Sequence, residues 1–141
     1  MTHSLLMILL LAISPQAQTD RDWETVRGIA EAEYEILMMM IEKGEWSGVA
    51  VKARALFSLP FPAEHELLKV EAAREYVDKL VHATQMKLAH EVLDAALAGI
   101  STPQHQADIY REKGFVCEKE GRDEEAVEFF EKSVELERKR P

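Results

Sequence analysis

A chain of 141 residues fits one domain with a modest core, and its formal charge of -9 disfavours nucleic acid as a partner because an acidic surface repels phosphate backbones. Apolar residues make up 47% and charged residues 30%, with only 6 Gly and 5 Pro, a balance that suits a folded helical protein and not a disordered tail or a barrel. The single cysteine, Cys117, excludes an intramolecular disulfide, and one thiol without Cys or His at metal-ligand spacing predicts no zinc site.

The chain opens with an unbroken apolar run from Leu5 to Ile13, followed by the small and polar residues "SPQAQTD". Such a run is too short to span a bilayer but suits the apolar core of a signal peptide, with cleavage after Ala17 or Ser14. Residues 1–17 are therefore expected to direct export to a periplasmic or secreted location. An uncleaved membrane anchor stays open, because no Lys or Arg precedes the run.

Residues 18–141 predict an all-α domain. From Asp22 to Lys43, apolar residues recur at three- and four-residue steps through Trp23, Ile29, Ala30, Leu37 and Ile41. Thr19 or Asp20 is placed to cap that helix, and Gly44 to end it in the left-handed conformation. A second helix is predicted over Trp46 to Leu59 and stops at "LPFP". Pro62 suits the first position of a third helix, with Glu64 and Glu66 in its opening turn and Leu67, Val70, Ala73, Val77 and Leu80 on its buried face. Thr84 punctuates the chain before a fourth helix from Met86 to Gly99. Thr102 with Pro103, or a Ser101 and Gln104 capping box, starts a fifth helix over Gln104 to Glu120. The sixth runs from Asp123, a candidate cap, to Arg140. Six helices joined by short turns pair as three antiparallel hairpins, at about 20–59, 62–100 and 102–140.

In the last hairpin Tyr110, Gly114, Gly121, Ala126, Phe130 and Ser133 stand in one frame of large and small residues. This hairpin resembles a tetratricopeptide repeat. Lys113, Cys117 and Arg138 depart from that pattern, as expected of a terminal or divergent repeat. The preceding hairpins echo it more loosely: the first through Gly44 at the turn and Trp46 after it, with Val49 replacing the small residue, and the second through Ala89, Leu93 and Ala96, with Thr84 where the turn glycine would be; Val49, Ala89 and Ala126 are 40 and then 37 residues apart. The resemblance implies a right-handed solenoid of about three hairpins whose first helices line a concave groove for a peptide or partner helix. In the last repeat it points Asp108, Arg111, Glu112, Phe115 and Lys119 into that groove; for Phe115, a contact with an adjacent helix is the alternative.

Chemistry has little support in the residues. His82, Met86, His90 and Asp94 are four apart and would share a face on an unbroken helix, but Thr84 interrupts it, and no residue is assigned to a metal or cofactor. The sequence holds no GxSxG, HExxH, P-loop or Gly-rich dinucleotide turn, so no catalytic residue is assigned. The "LMMMIEKG" run from Leu37 reads as adaptable core filler. The expected function is a non-enzymatic adaptor that binds an unidentified protein or peptide. The alternative is a structural module that self-associates through its apolar ends, and a small metal-binding protein comes third.

Overall fold

Three residues with positive φ turn the chain within its three helical pairs: Gly44 at φ 71°, Thr84 at φ 58° and Gly121 at φ 74°. The computed structural model describes residues 15–139. They form helices α1 (Pro15–Lys43), α2 (Val49–Phe57), α3 (Leu67–His82), α4 (Met86–Ala98), α5 (Pro103–Lys119) and α6 (Asp123–Glu137), with short 3-10 turns at Trp46–Gly48 and Ala63–His65. The described residues contain no strand, and none of their helices is long and apolar enough to cross a membrane.

Each turn closes the same way. The amide of the left-handed residue donates three residues back, Gly44 to Ile41, Thr84 to Val81 and Gly121 to Glu118, and the next amide donates five back, Glu45 to Met40, Gln85 to Leu80 and Arg122 to Cys117. This pair of bonds satisfies carbonyls that the ending helix leaves free. Thr84 thus does what the glycines do, although a β-branched residue is strained there. The turn residues are spaced by 40 and then 37 positions, the spacing of Val49, Ala89 and Ala126, so the three hairpins enter their second helices in one register.

Within each hairpin the two helices pack together, and between hairpins α1 contacts α3, α2 contacts α4, and α5 contacts both α3 and α4. The core threads through all of them, with Leu37, Val49, Phe57, Tyr76, Leu80, Leu93 and Ile109 fully buried. Each such side chain contributes about 1.5–3 kcal/mol of burial. In the last hairpin Gly114 lies under the Phe130 ring, whose Cε1 would stand 2.5 Å from an added Cβ. Ser133, also buried, donates to the carbonyl of Ala107 at 2.8 Å.

Several local expectations need correction. The first helix starts at Pro15, so Thr19 and Asp20 are interior; Thr19 Oγ1 donates to the Pro15 carbonyl instead of capping. The helix therefore crosses the expected boundary at residue 17, while the apolar run itself lies outside the described residues. Ile29 is 48% exposed while its neighbour Ala30 is buried, and Met38, not part of the expected stripe, is buried as well. Pro62 precedes a 3-10 turn and α3 begins only at Leu67, which is itself exposed. Asp123 is the first residue of α6, and no side chain caps that helix.

Candidate functional site

The polar residues at the head of α3 fix where its neighbours meet. Lys69 sits on the inward face, one step before Val70, and is 5% exposed. Its ammonium donates to the carbonyls of Phe57 at 2.8 Å, Leu59 at 2.7 Å and Gly99 at 2.9 Å, joining the C-terminal ends of α2 and α4. A cation is favoured there by the negative ends of both helix dipoles. Burial nevertheless pushes Lys69 below the ordinary lysine pKa, with the Glu66 carboxylate opposing the shift.

Glu66, 3% exposed, reaches instead to the start of α5. Its carboxylate accepts from the amides of Ser101 at 3.1 Å and Thr102 at 2.8 Å and from Ser101 Oγ at 3.0 Å, with His105 Nδ1 3.6 Å away. The predicted caps Thr102 and Ser101 therefore do not cap α5 with their own side chains; Glu66 serves the amides entering that helix from across the chain. Burial works to raise the Glu66 carboxyl, yet the amides and hydroxyls of Thr102 and Ser101 hold it below the usual carboxylate value. A folded-state value below the unfolded one means that the stabilisation is complete above about pH 4.5 and is lost as pH falls through the folded value. Glu66→Gln should cost about 1 kcal/mol at neutral pH, and its deficit against wild type should shrink on acidification in thermal melts. A deficit independent of pH would show that charge plays no part.

With α3 so anchored, α1 and α3 lie side by side and leave a cleft of about 670 Å³. Trp23 stacks on His65 with ring centroids 4.2 Å apart and meets Phe61 edge-on at 5.0 Å. The Phe61 ring also carries the Lys69 ammonium 4.8 Å from its centroid. Further along the cleft, Tyr34 donates to the exposed Glu75 carboxylate, and its own backbone carbonyl accepts from the Tyr76 hydroxyl at 3.0 Å. Burial first, then the bond to Glu75, pushes the Tyr34 hydroxyl up to about 12. Arg27 pairs with Glu31 at 3.0 Å, whereas Glu35 and Glu71 on the walls make no ion pair or hydrogen bond among the described residues.

No family model, curated protein or solved structure matches the chain.

The groove residues expected from the last repeat lie at helical spacing along one side of α5 but engage different neighbours. Asp108 and Glu112 face α3, where Arg74 approaches them at 3.8 and 3.1 Å. Arg111 pairs with Asp108 at 3.2 Å and with Glu137 of α6 at 3.7 Å. Phe115, 46% exposed, meets Phe130 edge-on at 5.2 Å; with Arg111 and Val134 it lines a shallow pocket on the α6 side. Phe115 thus makes the expected contact with an adjacent helix while staying exposed. Lys119 is exposed at the end of α5. Lys113, where the repeat pattern has an aliphatic residue, is buried, paired with Asp94 and 4.9 Å from the Phe129 ring centroid.

The four-residue series His82, Met86, His90 and Asp94 is broken at Thr84, which separates His82 on α3 from the other three on α4. Asp94 goes to Lys113, while His90 Nε2 reaches Glu120 Oε1 at 2.5 Å. Next to them the buried Cys117 thiol is pushed up by burial, an effect that Arg122 opposes and Glu120 reinforces.

Proposed function

We propose that the protein is a non-catalytic, tetratricopeptide-like interaction scaffold, a right-handed solenoid of three hairpins, that holds a segment of a partner protein in the cleft between α1 and α3. The apolar run at Leu5 to Ile13 supports an exported setting for it. The repeated turn geometry at Gly44, Thr84 and Gly121, in register with the second helices, supports the repeat reading. The observation that carries the binding reading is the aromatic cleft with Glu35 and Glu71 unpaired on its walls. The Lys69 ammonium is consumed by three carbonyls and Arg27 by Glu31, so the lining offers negative charge and aromatic faces to an incoming cation. A segment with a Lys or Arg beside an apolar residue fits it.

Selection of peptides from a random display library on the folded protein should enrich that combination. Trp23→Ala should weaken the selected peptides by about 10- to 100-fold, as loss of a central aromatic anchor does. Failure to enrich any such motif, or equal binding by Trp23→Ala, would refute the cleft; loss in Arg111→Ala or Phe115→Ala alone would move the site to α5. A second reading, self-association, rests on the exposure of Ile29, Ile36 and Met39 at one end and Val127 and Val134 at the other. A single mass by light scattering across concentration would count against it.

A further inference from the structure

Where the second hairpin meets the third, His90 of α4, Cys117 of α5 and Glu120 just past the end of α5 place a ring nitrogen, a sulfur and a carboxylate oxygen within 4.8 Å of one another. Glu120 keeps a right-handed backbone three residues after Cys117, so the two side chains leave the same side of the helix end. The Cys117 residue is fully buried, whereas the His90 and Glu120 side chains are 18% and 21% exposed. The cluster is thus a sulfur floor with a nitrogen and an oxygen at a mouth open to solvent. We propose that His90, Cys117 and Glu120 bind one zinc ion, with water completing a tetrahedron.

The donor set carries the choice of metal. Sulfur, imidazole and carboxylate together suit a borderline ion, and three protein donors with an open fourth position form a known zinc geometry. Bond lengths of about 2.0–2.3 Å put tetrahedral donors roughly 3.3–3.7 Å apart, inside the 4.8 Å spread found here. The His90 to Glu120 distance of 2.5 Å must open by about 1 Å, within the reach of the flexible Glu120 side chain. Thiolate and carboxylate together neutralise the dication. As the Zn–S bond forms the thiol proton leaves to solvent, and neutral His90 takes the tautomer with its proton on Nδ1, freeing Nε2 for the metal. Arg122 lies 3.4 Å from Glu120 but is also bonded to Glu125, which can keep it when Glu120 turns to zinc. Lys113 adds a second positive charge near the thiol.

The bound ion would clip α4 to the last turn of α5. Cobalt(II) added to the reduced, metal-free full chain should give one thiolate-to-cobalt charge-transfer band in the near ultraviolet per chain, and zinc should remove it. Zinc at about 100 times its dissociation constant should raise the thermal midpoint by roughly 5–10 °C. Affinity should fall about tenfold for each pH unit of acidification, reflecting the thiol proton. Cys117→Ser should abolish the band, and His90→Ala or Glu120→Ala should each weaken zinc binding at least tenfold, in line with the loss of one ligand. No band in wild type would overturn the site. Equal affinity in both His90→Ala and Glu120→Ala would also overturn it, leaving a thiol that binds metal alone; those two variants decide the matter even where Cys117→Ser fails to fold.

Discussion

Lys69→Met should lower stability by about 3 kcal/mol, read as a fall of roughly 10 °C in the thermal midpoint. Methionine fills nearly the same volume but donates nothing, so the carbonyls of Phe57, Leu59 and Gly99 lose their shared donor at once. Opposing this loss, burying an ammonium is costly, and its depressed pKa reports that cost. The loss outweighs the gain because three carbonyls each give up a bond to an ammonium worth about 1 kcal/mol, the Phe57 carbonyl inside the protein, while Leu59 keeps only the Phe61 amide as a donor. The substitution also strips Glu66 of its nearest buried cation. Lys52→Met is the control: that ammonium is paired with Glu33 at 3.2 Å but is 38% exposed, and its loss should cost below about 0.5 kcal/mol. Equal midpoints for the two variants would show that water replaces the Lys69 bonds at little cost.

Much of the architecture was legible because it rests on local signals. Apolar spacing locates six helices, and Gly44, Thr84 and Gly121 mark the turns that the backbone makes with left-handed residues. Helix starts were less legible, since a start depends on what satisfies the free amides. Thr19, Ser101, Thr102 and Asp123 all have side chains suited to capping, but Thr19 is overrun by a helix that begins four residues earlier, and Glu66 reaches α5 from 35 positions away. Nothing local in the sequence encodes that distance. Ile29 and Leu67 were misplaced for a related reason: each lies near the edge of an apolar stripe, where a small rotation of the helix against its neighbour decides exposure.

The cleft was harder to see than the fold. Trp23 and Tyr34 come from α1 and Phe61 and His65 from the linker between hairpins, and only the stacking of α1 beside α3 assembles them. One signal was present: Glu66 and Lys69 precede Val70 and Ala73 on the same inward face, where charged residues need partners. The repeat pattern drew attention to α5 instead because its matches lie in the last hairpin. There Asp108 and Glu112 are engaged by Arg74, which leaves less free charge for a ligand than Glu35 and Glu71 provide.

Gly99→Ala should be the most damaging single methyl group that can be added to the chain's described glycines. Its Cβ would stand 1.9 Å from the Phe57 carbonyl oxygen and 2.7 Å from the carbonyl carbon, and both are backbone at the end of α2. A flexible side chain could swing away, but here α2 must shift by more than about 1 Å, so the cost should reach about 3 kcal/mol. Gly28→Ala adds the same methyl to exposed helix with no atom within 4 Å, and there alanine's better helix propensity should stabilise by about 0.5–1 kcal/mol. Opposite signs in paired denaturant titrations are expected, and a neutral Gly99→Ala would mean that the two helix ends are not in contact. Because the carbonyl displaced by that methyl also accepts from Lys69, the two perturbations share one network. The double variant Gly99→Ala with Lys69→Met should therefore lose less than the sum of the two, by roughly 1 kcal/mol or more, since the first substitution already breaks a bond that the second removes.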